Sequence, residues 1–85
     1  APNDDALFHA RMAHDLYRRE QYTEAVAEYR RALALKPNYA DLRNQLGVTL
    51  YALGDNEGAV KQFGLALEIN PRYVEARVNR GIALR

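Results

Sequence analysis

Leu42, Leu46, Leu50 and Leu53 recur at three- and four-residue intervals, and so do Val60, Phe63 and Leu67. That spacing puts each set on one face of a helix. Gly54-Asp55-Asn56 separates the two runs as a turn, with Asp55 as the N-cap of the second helix. The same arrangement stands 34 residues earlier. Residues 6–39 aligned on 40–73 give nine identities: Ala6/Ala40, Leu16/Leu50, Tyr17/Tyr51, Ala25/Ala59, Val26/Val60, Ala32/Ala66, Leu33/Leu67, Pro37/Pro71 and Tyr39/Tyr73. Phe8/Leu42, Met12/Leu46, Ala13/Gly47, Tyr29/Phe63 and Leu35/Ile69 keep size or character. A third copy then begins, with Arg77, Gly81 and Leu84 falling on Arg43, Gly47 and Leu50.

The pattern predicts five helices, over about 4–18, 22–35, 39–52, 56–69 and 73–84. Pro37 and Pro71 cannot continue a helix and push the preceding residue out of helical angles, so they close the second helix of each copy. Asn38, with Asp41 three residues on, reads as the N-cap pair of the third helix. Glu20-Gln21 holds the first copy's turn without glycine, which leaves that turn less defined. Gly47 and Ala13 leave room for the partner helix, bringing Ala59 or Ala25 against them, while Tyr29 and Phe63 fill the space beside these contacts. Ala32 and Ala66 allow close approach of the following hairpin. A bulky residue at Gly47 or Ala59 is expected to overpack the crossing and cost roughly 1–3 kcal/mol.

The chain of 85 residues holds one domain, 1–85, divided into a repeat at 6–39, a second at 40–73 and a partial repeat or capping helix at 74–85. A formal net charge of +1 gives no overall field toward nucleic acid or an anionic membrane. There is no cysteine, which excludes disulfides and thiolate metal sites. No apolar run approaches a membrane span, so no direct membrane insertion is expected, and a soluble, cytoplasmic setting is favoured.

Catalytic chemistry finds little support. Serine is absent, and neither Thr23 nor Thr49 lies beside a histidine in a nucleophile arrangement. His9 and His14 stand about 140° apart around a helix, poor geometry for a shared metal. His9 is read instead as packing in the hairpin, and His14 as lining a groove or meeting solvent. Asp4-Asp5 reads as helix-start electrostatics. Gly54 and Gly58 make no phosphate loop. Arg18-Arg19 and Arg30-Arg31 are interspersed with Asp15, Glu20, Glu24 and Glu28, which predicts a solvated, charge-balanced face rather than a nucleic-acid stripe. No enzyme, cofactor or metal is expected.

The second copy contains Leu46-Gly47-x-x-Leu50, Ala59-x-x-x-Phe63-x-x-Ala66 and Pro71; the first has Ala25-x-x-x-Tyr29-x-x-Ala32 and Pro37. These motifs at this period resemble the tetratricopeptide repeat (TPR) family across residues 6–85. Met12-Ala13 stands where Leu-Gly is usual, and His9 and Arg43 replace the common Trp or Tyr. The resemblance implies an all-α, right-handed solenoid of antiparallel helix hairpins, here two full repeats plus one terminal helix. It also implies a non-enzymatic scaffold whose concave groove, lined by the first helix of each pair, binds a peptide or partner protein. The implied groove positions are Leu7, Ala10, His14 and Tyr17; Asp41, Asn44, Val48 and Tyr51; and Glu75, Val78, Asn79 and Ile82. His14, Tyr17, Asp41, Asn44, Val48, Tyr51 and Val78 are the candidate contacts, with the Asn44 amide reading backbone groups and the tyrosines giving area. Tyr17 and Tyr51 fit ligand contact and hairpin packing equally.

Some TPR domains grip the C-terminal carboxylate of heat-shock chaperones with Lys, Asn and Arg. The matching positions here are Ala10, His14, Gln45, Glu75 and Asn79; no cation is among them, and Glu75 would repel a carboxylate. No such clamp is expected. Asn79 alone does not make the asparagine ladder of the sugar-transferase TPRs. At the chain's end, the fifth helix can cover the fourth, but Val78, Ile82 and Leu84 cannot all face inward. Either an apolar strip stays exposed there or self-association through this helix covers it, and a fragment of a longer repeat protein would explain the strip equally well. Arg80, where the earlier copies have Met12 and Leu46, decides little between these.

Overall fold

The computed structural model describes residues 2–85, with side chains from residue 5 onward. Five helices follow one another: α1 (Pro2–Arg18), α2 (Tyr22–Leu35), α3 (Ala40–Ala52), α4 (Asn56–Ile69) and α5 (Val74–Ala83). The predicted boundaries of α2 and α4 coincide with these, and α3 and α5 start one residue later. Each helix packs on the next, and α3 also touches α5. The Cα envelope is 39 × 27 × 16 Å, thin in one direction because the hairpins stack as two layers of helices. The Asp4 part of the expected helix-start pair lies outside the described side chains, and Asp5 is exposed.

Both hairpin turns place one residue in the left-handed region: Gly54 at φ 86° and, at the equivalent position, Glu20 at φ 62°. Glycine enters that region freely, whereas a residue with a Cβ is strained there. The first turn therefore forms without the glycine signal. Asp55 caps α4 as predicted, its carboxylate accepting from the Gly58 N–H at 2.9 Å. Asn38 does not cap α3; that position falls to Tyr39, which makes no side-chain cap bond. Lys36 to Tyr39 close instead as a tight turn, with the Tyr39 N–H donating to the Lys36 carbonyl at 3.3 Å. Pro37 sits at the position that such turns favour, one residue after the accepting carbonyl. The Asn70–Tyr73 turn repeats this bond at 3.1 Å, around Pro71.

The core runs along the stack through Ala13, Ala25, Tyr29, Ala32, Leu33, Leu42, Leu46, Leu50, Ala59 and Phe63. A Cβ added at Gly47 would stand 2.5 Å from the Phe63 ring, so the aromatic, rather than Ala59, makes the close approach there. Ala76 and Ala83 bury the inner face of α5 against α4.

Glu28 departs from the expected solvated face. It is buried, accepts a hydrogen bond from Arg31, and lies 2.6 Å from His9 Nδ1 across the α1/α2 crossing. Burial pushes its carboxyl up, but the hydrogen bonds from His9 and Arg31 outweigh this and leave it below the usual carboxylate value. His9 thus occupies the hairpin as predicted, through a polar bond. In the second hairpin, Arg43 Nη1 donates to Gln62 at 3.1 Å and Arg43 Nε to the Pro37 carbonyl at 3.2 Å.

Candidate functional site

The inner ends of α3 and α5 meet over Phe63. Val48, Tyr51, Asn79 and Ile82 line a small pocket there of about 120 Å³. Helical geometry explains the set: Val48 and Tyr51 are three apart on α3, Asn79 and Ile82 three apart on α5, so each pair shares a face. Tyr51 remains 43% exposed and Ile82 39%, leaving apolar area open at the rim. Four of the expected groove positions are therefore brought together.

The two tyrosines part company. The Tyr17 ring lies 5.6 Å from Tyr22 of α2, tilted by 54°, and is half-buried in its own hairpin. The residue equivalent to Tyr22 in the second copy is Asn56, which offers no ring to Tyr51. Burial and then the nearby Tyr17 push the Tyr29 phenol up to about 12. Its hydroxyl is buried without a hydrogen-bond partner among the described residues.

Asn44 was expected to present its amide to a ligand, but it is fully buried. Its Nδ2 donates to Glu75 at 3.4 Å, and its Oδ1 accepts from Asn79 Nδ2 at 3.1 Å. The amide thus ties α3 to α5 and positions Asn79, the amide that lines the pocket. Tyr73 joins this cluster: burial first, then the nearby Asp41 carboxylate, push its phenol up to about 12. The acidic groups Asp41 and Glu75 are both exposed at its edge.

His14 and Ala10 sit apart from this pocket. With Arg11, Asp15 and Arg18 they line a depression of about 370 Å³ on α1 alone. Leu7 and Val78 are exposed, at 45% and 55%. Leu84, at 65%, is exposed too within the single chain, so Val78, Ile82 and Leu84 do not all turn inward. A larger depression of about 510 Å³ lies where the 36–39 turn meets the end of α4, lined by Pro37, Tyr39, Asp41 and Ile69 among others. Nothing in the sequence periodicity marks it, since it arises from the docking of one hairpin's turn on the next hairpin's end. Among the described residues no group of acidic or histidine side chains could hold a metal ion. No helix among them is long and apolar enough to cross a membrane.

Several solved structures with the same fold are TPR domains. The first TPR of Spaghetti (RPAP3), bound to the HSP90 peptide SRMEEVD, superposes with a TM-score of 0.91 at 22% identity, covering 95% of this chain and 64% of that one. The second TPR of Spaghetti (RPAP3), bound to the same peptide, gives 0.92 at 21% identity, covering 96% and 76%. The Sgt2 TPR domain from Aspergillus fumigatus gives 0.88 at 23%, covering 92% and 52%. The chain thus spans under two thirds of the first of these and about half of the last. No curated protein matches it in sequence. The profile of the TPR repeat matches residues 13–54 and 49–84, nearly the whole of the chain, and the chain belongs to the TPR family.

Proposed function

We propose that this chain is a non-enzymatic interaction module that binds a peptide or protein segment on the face shared by α1, α3 and α5. The observation that carries this reading is the pocket formed by Val48, Tyr51, Asn79 and Ile82, apolar on its walls with one amide set into it. Such a site suits one apolar side chain of an extended ligand, with the amide holding its backbone. Two structural neighbours bind the acidic HSP90 peptide. The charge on this chain argues for a different ligand class. Ala10, His14, Gln45, Glu75 and Asn79 supply no cation for a terminal carboxylate, and the exposed Asp41 and Glu75 favour a basic residue beside the apolar anchor. Peptides selected from a random display library are expected to carry that pairing. Their affinity should fall at least about tenfold on Tyr51→Ala with helicity unchanged. Peptides that bind Tyr51→Ala and Val48→Ala as tightly as the parent would sink this site.

A second reading rests on Val78, Ile82 and Leu84, exposed on one terminal helix. Self-association through them would make the chain an assembly element. Light scattering after size exclusion tests it: a dimer that Ile82→Asp or Leu84→Asp dissociates supports it, and a monomer at every concentration rules it out.

A further inference from the structure

We infer that the groove has a second, polar subsite between α1 and α3, which takes a carboxylate side chain of the ligand three residues away from the apolar side chain seated over Phe63. The inference rests on the groove reading above and names the ligand's second determinant. It uses the groove side of the first helix of each pair, which further hairpins stacked on either end would leave open.

Moved back by 34 residues, the apolar pocket falls on a second set of side chains in the same chain. Val48, Tyr51, Asn79 and Ile82 become His14, Tyr17, Gln45 and Val48, and the Phe63 floor becomes Tyr29. The two sites share Val48 and one backbone plan, so they differ through their side chains. An imidazole replaces an aliphatic wall, an amide is kept, and the floor gains a hydroxyl. Phe63 shows that the repeat itself does not require that hydroxyl.

The polar groups gathered there can all donate. Tyr29 is 1% exposed, and its hydroxyl has no hydrogen-bond partner among the described residues. Burial, and then the nearby Tyr17, push that phenol up to about 12, so it keeps its proton near neutral pH. A buried donor without an acceptor carries a free-energy cost that a ligand oxygen would relieve. The Tyr17 ring beside it is half-buried, and turning that ring aside opens the hydroxyl to the groove. Gln45 adds an amide N–H and the exposed His14 a ring N–H.

Charge selects among acceptors. Arg11 stands three residues before His14 and Arg18 four after it; both are exposed and line one depression with it. Asp15, the acid of that depression, is paired with Arg19 at 3.2 Å. Asp41 lies seven residues before Val48, about 10 Å toward the other end of α3. A carboxylate is therefore favoured over a neutral amide, and a basic side chain is disfavoured.

Spacing follows from the repeat. Packed helices stand about 8–10 Å apart, which is the step from one site to the next. Three residues of polyproline II chain rise about 9.3 Å and return to the same face. A ligand in that conformation sets two side chains, three residues apart, into the two sites.

The test is a library of octapeptides with one fixed leucine and every other position random. It is displayed inside a loop of a carrier protein, so that no terminal carboxylate competes. Selected peptides are expected to carry Asp or Glu three residues from the leucine, and to bind Tyr51→Ala at least about tenfold more weakly. In a synthetic, end-blocked member, replacing that acid by Lys should weaken binding about tenfold, and less at high salt. Arg11→Glu combined with Arg18→Glu should abolish the preference for the acid. Tyr29→Phe should weaken the acidic peptide about five- to tenfold while leaving the free protein no less stable, a combination that a purely structural tyrosine would not give. Peptides that need Tyr51 but carry no acid at that spacing would overturn the subsite and leave the groove reading standing. Selection of Lys or Arg there, or unchanged binding to Tyr29→Phe and to the double arginine variant, would do the same. Selection of nothing above the level of Tyr51→Ala would sink the groove reading and the subsite together.

Discussion

In the first hairpin a methyl at Ala13 shares the core with Tyr29, His9 bridges to Glu28, and the turn runs through Glu20. In the second, Gly47 lies under Phe63, Arg43 bridges to Gln62, and the turn runs through Gly54. The backbones are the same repeat, so the differences are a set of natural substitutions in one frame. They teach that the fold asks for a small residue, a ring and a polar pair at fixed positions, and that the second hairpin meets these demands with less strain. It has glycine where φ is positive, and its ring carries no buried hydroxyl lacking a partner. The first hairpin is the one with room for improvement.

The sharpest way to break the comparison is to move the first hairpin's methyl into the second. Gly47→Ala would place a Cβ within 2.5–2.9 Å of three Phe63 ring atoms. With that ring 2% exposed and held on all sides, a cost of roughly 1–3 kcal/mol is expected in urea unfolding. A cost near zero would mean that the second crossing relaxes as readily as the first and that glycine is not required there. The turns come next. Gly54→Ala should cost about 1 kcal/mol, and Glu20→Gly should gain about as much, because each moves one Cβ into or out of the left-handed region. Equal stabilities for Glu20→Gly and the parent would show that the φ of Glu20 carries no strain.

The same frame shows what was legible in the sequence. Pro37, Pro71 and Gly54 act on the backbone within one or two residues, so the ends of α2, α4 and the second turn could be read directly. Glu20 hid the first turn because a glutamate does not advertise a left-handed φ, although the backbone there closes α1 with the same bonds, Gln21 N–H to the Leu16 carbonyl, that Asp55 N–H makes to Leu50 after Gly54. Asn38 misled for a different reason: two local signals compete there, and the 36–39 turn around Pro37 leaves Tyr39 rather than Asn38 at the cap. Glu28 looked solvated because spacing to Arg31 says nothing of His9, nineteen residues away. Asn44 looked like a ligand-reading amide on a single helix, and only the approach of α5 turns it inward to Glu75 and Asn79. Val48, Tyr51, Asn79 and Ile82 were named only through the resemblance to the TPR family, and the structure brings these four to one pocket. Which tyrosine stays open was not, since that depends on the Tyr22/Asn56 difference on a neighbouring helix.

Tyr29→Phe installs the second hairpin's ring in the first. The hydroxyl is buried without a partner among the described residues, and its removal should raise stability by about 1 kcal/mol. A loss of stability would reveal that the hydroxyl is satisfied in solution, and Tyr29 would then count as part of a polar network.

The smallest effect separates the two polar bridges by pH. The His9–Glu28–Arg31 bridge contains a carboxylate, whereas Arg43–Gln62 contains no group that titrates in acid. Glu28 in the folded chain sits below its ordinary value of 4.5, because the His9 and Arg31 hydrogen bonds outweigh the upward push of burial. The folded state therefore binds that proton less readily than the unfolded state does. Its contribution to stability is present above pH 4.5 and is lost as pH falls through the lower folded value. Arg31 is largely exposed and His9 partly so, which keeps the contribution below about 1 kcal/mol. Melting curves from pH 7 to pH 2.5 should show Glu28→Gln losing less stability than the parent over the acid part of that range, and the two proteins converging as the carboxylate protonates. Glu28→Gln makes the first bridge chemically like the second, so parallel curves at all pH values would mean that the two hairpins already respond alike, and that the buried carboxylate adds nothing the amide in Gln62 does not.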